Sequence, residues 1–250
     1  MPARRGLAQL ALLDGKPQEA LQLARDTQKK HPTDATGWGL EGDIESARKN
    51  WDAAIAAYRI ALQRSPTSDS ALRLHSTYLR GQKPADADRL AADWMRDHPK
   101  DIVFRYYMGD LALGRNDYAG AEEYYRGVLQ LAPEHAMAMN NVAWLLTKQS
   151  KPGAVALATK ANLLAPNRPA LMDTLATALA AEGKYPLAIE TQKKALALTA
   201  KEPSLRLNLA RIYLKAGEKP YARAELEELA ALGEKFGEQA EVKTLLAQVK

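Results

Sequence analysis

Cysteine is absent from this 250-residue chain, which excludes disulfides and thiolate metal sites. The compartment stays open, because reducing and oxidising surroundings both tolerate a cysteine-free protein. No stretch approaches the roughly 18–20 apolar residues of a membrane-spanning helix. The opening MPARRGLAQLALLDG, 1–15, holds an apolar segment too brief for a secretory signal peptide and reads as a truncation boundary. A block of one charge is also missing: 35 Lys and Arg alternate with 30 Asp and Glu, for a formal charge of +5. That is the pattern of a solvated surface, whereas tracking phosphates needs clustered bases, so no nucleic-acid partner is expected.

Catalytic signatures are lacking too. There is no glycine-rich phosphate loop, serine elbow or histidine–glutamate helix motif. His31, His98 and His135 fall beside turns without a second ligand at zinc spacing, and they read as solvated loop residues. Glu122 with Glu123, and Glu227 with Glu228, are neighbours in sequence. They diverge by about 100° on a helix, a poor geometry for shared acid–base work. No catalytic residue, metal or cofactor is expected, and the chain reads as non-enzymatic.

What the sequence does have is a period. Ala20, Ala54, Ala87, Ala121, Ala154, Ala188 and Ala222 are 34, 33, 34, 33, 34 and 34 residues apart, each opening a segment with helical apolar spacing. Eleven or twelve residues upstream lies a second series: Ala8, Gly42, His75, Gly109, Ala143, Ala176 and Ala210. Small residues at such positions let two helices cross closely; His75, in a small residue's slot, is expected to widen its pair locally. Twelve residues after the first alanines come Pro32, Pro66, Pro99, Pro133 and Pro166, where proline stops a helix. Between the two small-residue series stand Gly15-Lys16-Pro17, Gly81-Gln82-Lys83-Pro84, Gly183-Lys184-Tyr185-Pro186 and Gly217-Glu218-Lys219-Pro220. There glycine supplies the left-handed residue and proline enters the next helix's first turn. The unit is helix, turn, helix, stop.

The expected architecture is all-α: seven units at 1–34, 35–67, 68–101, 102–135, 136–168, 169–202 and 203–233, then a capping helix within 234–250 with Val242, Leu245, Leu246 and Val249 on one face. The first unit has no comparable cap, so its beginning is expected to fray or to pack against absent sequence. Tyr118 takes the slot of Trp51 and Tyr185, and Tyr125 that of Tyr58, which favours packing between repeats over ligand contact.

The segments GWGLEGDIESARKNWDAAIAAYRIALQRSP (37–66) and YYMGDLALGRNDYAGAEEYYRGVLQLAP (106–133) resemble the tetratricopeptide repeat, and the resemblance covers nearly the whole chain. It implies a right-handed α-solenoid superhelix whose concave groove, lined by first helices, binds a protein or peptide. Inward positions would then be Asp43, Tyr106, Asp110, Asn140, Trp144, Lys148, Asp173, Thr177, Arg211 and Lys215. Trp144 fits either a groove anchor or a local packing adjustment, since its unit has a turn one residue shorter. The lysine and asparagine set with which some family members clamp a chaperone's C-terminal carboxylate is missing. Residues 140–198 are also similar to the C-terminal repeats of exosortase-associated, PEP-CTERM-system repeat lipoproteins of bacteria. That likeness implies an excised portion of a periplasmic or outer-membrane-associated protein of exopolysaccharide export; without it a cytoplasmic place is expected. The alternative is an exopolysaccharide-binding module using groove aromatics such as Tyr106 and Trp144. Partner identity and oligomeric state are not legible.

Overall fold

The computed structural model describes residues 2–199 and 202–249, and among these every regular element is helical. Seven helix pairs follow one another: α1 (Pro2–Leu13) and α2 (Pro17–Lys30), α3 (Thr36–Ala47) and α4 (Trp51–Arg64), α5 (Ser68–Arg80) and α6 (Pro84–Asp97), α7 (Ile102–Gly114) and α8 (Tyr118–Leu131), α9 (Ala136–Lys148) and α10 (Ala154–Leu164), α11 (Pro169–Ala181) and α12 (Tyr185–Leu198), α13 (Pro203–Ala216) and α14 (Lys219–Ala230). A short 3-10 turn, Gly233–Lys235, leads into α15 (Gln239–Ala247). Two compact units are distinguished, 1–107 and 108–250. Residues 200 and 201 near the end of the expected sixth unit, residue 250 at the end of the expected cap, and residue 1 lie outside the described residues.

Each helix pair closes through the same turn. A left-handed residue recurs once per repeat at Gly15, Lys49, Gln82, Asn116, Ser150, Gly183 and Gly217, with φ between 54° and 80°. The following amide donates back to the first helix in all seven: Lys16 to Ala11, Asn50 to Glu45, Lys83 to Tyr78, Asp117 to Ala112, Lys151 to Leu146, Lys184 to Leu179 and Glu218 to Tyr213, at 2.8–2.9 Å. These six-to-one bonds are Schellman caps that satisfy carbonyls orphaned at the helix end. The third turn corrects the sequence expectation: Gln82 at φ 58°, not Gly81 at φ −80°, is left-handed. Gly81 is needed for room instead, since a Cβ there would sit 3.0 Å from the Trp51 Cβ.

The core follows the two small-residue series. The seven alanines of the second helices are buried, all but Ala154 showing no exposed surface. Opposite them, size is traded across the pair. Gly42 and Gly109 make room for Tyr58 and Tyr125, whose ring carbons would lie 2.5 and 2.6 Å from an added Cβ. Where His75 replaces glycine, the partner slot holds Ala91; the remaining pairs are Ala8 with Ala24, Ala143 with Ala158, Ala176 with Gln192, and Ala210 with Leu226. Five of the seven pairs set one larger side chain against a small one and two set alanine against alanine, so no pair forces two large side chains together. Tyr58 and Tyr125 therefore fill space within their own helix pairs, and Tyr58 also packs among Leu74, Tyr78 and Ala87 of the next repeat. Tyr118 reaches the next repeat too: its ring meets Trp144 edge-on at 5.9 Å. Val242 and Val249 are buried against Leu226, Leu229 and Phe236, so the apolar stripe of α15 covers the end of the seventh pair.

Candidate functional site

Helix periodicity puts Asp43, Asp110, Trp144, Thr177 and Arg211 at one repeating slot of the first helices, one residue after the small-residue position. In each unit this face carries a polar cluster built around a carboxylate.

In the first unit the carboxylate is Asp43. It accepts a 2.7 Å hydrogen bond from the Tyr58 hydroxyl, pairs with Arg73 of the following repeat, and lies 3.2 Å from Arg5 of the preceding one. Arg73 is held on its other side by Asp69 at 2.7 Å. Burial, reinforced by the charge of Asp43, pushes the Tyr58 hydroxyl up to about 12, so it stays a donor at physiological pH. A cavity of about 650 Å3 opens over this cluster, edged by Arg4, Arg5, Thr36, Asp69, Ser70 and Arg73. That volume is in the range of small-ligand and peptide side-chain sites.

In the second unit Asp110 repeats part of the pattern, accepting from the Tyr125 hydroxyl at 2.6 Å. Two repeats further on, Gln192 stands where the tyrosines stood and the carboxylate moves back one helical turn to Asp173. Gln192 Nε2 donates to Asp173 at 2.6 Å and to the Leu205 carbonyl at 2.8 Å. Asn208 Nδ2 donates to both Asp173 oxygens at 2.8 and 2.9 Å. Burial raises the Asp173 carboxyl above its ordinary range, against hydrogen bonds from Asn208 and Gln192 and the charge of Arg211. Arg211 itself grips Glu241 of α15 through two bonds of 2.8 and 2.7 Å and donates to the Asn208 side-chain Oδ1 at 2.5 Å. The Arg211 pairing holds the Glu241 carboxyl below its usual range.

The other expected positions divide. Asn140 is buried at 7 % exposure; its Nδ2 makes one long contact to Asn141 at 3.4 Å, and its Oδ1 has no protein partner. Trp144 is half-buried against Tyr118, with the Lys148 ammonium 6.0 Å above its ring. That geometry favours local packing for Trp144 while leaving part of the ring open. Thr177 and Tyr106 are half-buried, and Lys148 and Lys215 are exposed. Asp173 and Arg211, expected as groove contacts, are engaged mainly with their own chain, because Asn208 and Glu241 arrive from later helices at spacings the repeat does not advertise.

The histidines do more than the sequence suggests. His98 stacks on Trp94 at 3.7 Å, and His135 caps α9 by accepting from the Ala138 amide at 3.1 Å. His75 is buried, with Nδ1 2.9 Å from the Tyr107 hydroxyl and its ring edge-on to Phe104. The Asp43 cluster was legible in one respect: Gly-Asp followed 15 residues later by Tyr occurs twice, 67 residues apart.

Paired helices at a 33–34-residue interval with buried small residues define an α-helical repeat protein. The chain belongs to the tetratricopeptide-repeat family, whose profiles match residues 3–69 and 106–170, and 179–249. A TPR repeat-containing protein of Pseudomonas aeruginosa, PA4667, is 29% identical over 128 residues, covering 48% of this chain and 21% of that protein. Tetratricopeptide repeat protein 21A of Mus musculus is 32% identical over 114 residues, 44% of this chain and 8% of its own length. The chain thus spans well under two thirds of these relatives. Among solved structures, the Cut9–Hcn1 complex superposes with a TM-score of 0.67 at 16% identity, covering 94% of this chain and 46% of the other. The fold is that of an interaction scaffold for proteins or peptides, and no described helix is long and apolar enough to cross a membrane.

Proposed function

We propose that the chain is a non-enzymatic scaffold whose first-helix face on α9, α11 and α13 holds an extended segment of a protein partner. Asn140 carries the reading. An amide oxygen buried without a partner costs about 1–3 kcal/mol, and rotation of the Asn140 side chain outward lets a peptide N–H laid along α9 recover it. Thr177 and Lys215, at successive positions of the same face, offer a hydroxyl and an ammonium to the same segment. The likeness of residues 140–198 to exosortase-associated repeat lipoproteins supports a place in bacterial exopolysaccharide export, in the periplasm or at the outer membrane.

Affinity capture from the envelope fraction tests this. A partner should be retained by the unsubstituted chain, lost with Asn140→Ala and Trp144→Ala, and kept with Lys160→Ala on the second helix α10. Partners indifferent to Asn140 would sink the proposal. Glycan binding is the second reading, favoured by the open part of the Trp144 ring. Titration with purified exopolysaccharide should then quench tryptophan fluorescence saturably; a flat response removes that reading.

A further inference from the structure

The outer face of the first repeat is more open than the same face of the later repeats. Two positions after the small-residue slot, the first helices carry Ile44, Thr77, Leu145, Ala178 and Ile212, all at most 3 % exposed, and Leu111, which is half-buried. One position before the slot, Leu74, Val142 and Leu209 are likewise at most 3 % exposed, and Glu41, Met108 and Leu175 are half-buried. In the first repeat the same two positions are Leu10 and Leu7, and they stand 55 % and 52 % exposed. Ile44 shows what normally covers such a position, for it packs among Ala8, Ala11, Leu21 and Ala24 of the preceding helix pair. Leu7 and Leu10, with Ala11 and Leu23, floor a groove of about 360 Å3 between α1 and α2. Every charged side chain lining it is acidic: Asp14, Glu19 and Asp26. Glu19 has one cation near it, Lys16 at 3.5 Å, and Gln22 donates to Asp26 at 2.8 Å.

From these observations the geometry points to a docking site on α1 and α2 for a basic amphipathic helix. A helix is the occupant because the leucines hold repeat positions whose equivalents are covered by helices. It is basic because three carboxylates edge the groove and no base does. A second copy of this chain meeting the same face would set these acids against each other, and like charges at such an interface oppose association. The site is independent of the polar face on α9, α11 and α13.

A labelled synthetic 20-residue helix with a leucine stripe and flanking lysines serves as the probe, compared with the same stripe flanked by glutamates. By fluorescence anisotropy at low salt the lysine probe should bind at least tenfold more tightly, and the margin should shrink as salt is raised. Leu10→Asp should abolish binding without changing the circular dichroism, since the side chain is already more than half exposed. Asp14→Lys with Glu19→Lys should reverse the preference between the probes. Equal binding of both probes, binding that survives Leu10→Asp, or a dimer in sedimentation that Leu10→Asp disperses would each overturn the inference.

Discussion

Asp43 in the first unit and Asp173 in the second are both aspartates set into the first-helix face, yet they are held by opposite means. Asp43 meets two guanidinium groups and a phenol, whereas Asp173 meets two neutral amides and has its nearest guanidinium one residue away, already gripping Glu241. Neutral donors satisfy the lone pairs of a buried carboxylate but leave its desolvation cost largely uncompensated, and the Asp173 carboxyl rises. One repeat scaffold thus supports a guanidinium-bridged joint between successive repeats in one unit and an amide-bridged joint in the other.

The comparison first rests on equal packing in the two units. Gly42→Ala and Gly109→Ala should each destabilise the chain by about 1–3 kcal/mol in denaturant unfolding, because the new Cβ meets a buried tyrosine ring. A loss in only one unit would show that the pairs are not equivalent. Next, Asp43→Asn should cost about 1–3 kcal/mol at neutral pH, since Arg5 loses its anion and the Tyr58 hydroxyl faces a poorer acceptor.

Asp173→Asn should cost less at neutral pH and change the pH profile instead. Folded Asp173 titrates above its unfolded value of 3.8, so its contribution is fully present below that value and is lost as pH rises through the folded pKa. Unfolding measured across the acid range should therefore lose that component in the asparagine variant. An unchanged profile would place the proton elsewhere. The smallest effect concerns the turns: Gln82→Gly should raise stability by about 0.5–1 kcal/mol, because a side chain is disfavoured at its left-handed φ. Gly183→Ala should lower it by a similar amount.

The fold was legible because its causes are local and repeated. Buried alanines, helix-stopping prolines and turn glycines each act within one unit, and the alanines in seven units, the prolines in five and the turn glycines in four reinforce the pattern. Gln82 escaped notice because a Schellman cap needs a left-handed backbone, which glycine favours but does not monopolise. The candidate site was legible only where it obeys the repeat, as with Asp43, Asp110 and Asn140. Asn208 and Glu241 join Asp173 and Arg211 across 30–35 residues, and pairings unique to one place leave no periodic trace. The open face at Leu7 and Leu10 was anticipated in outline by the first unit's want of a cap, but not residue by residue, since a leucine there looks like its buried counterparts.

Partner binding on the first-helix face is tested most directly by site-specific photo-crosslinking, with a benzophenone side chain placed in turn at Thr177 on α11 and at Lys160 on α10. Irradiation in an extract of the source cell should give a defined partner adduct from position 177 and none from position 160. Adducts from position 160 alone, or from both positions equally, would contradict a partner seated on the first helices.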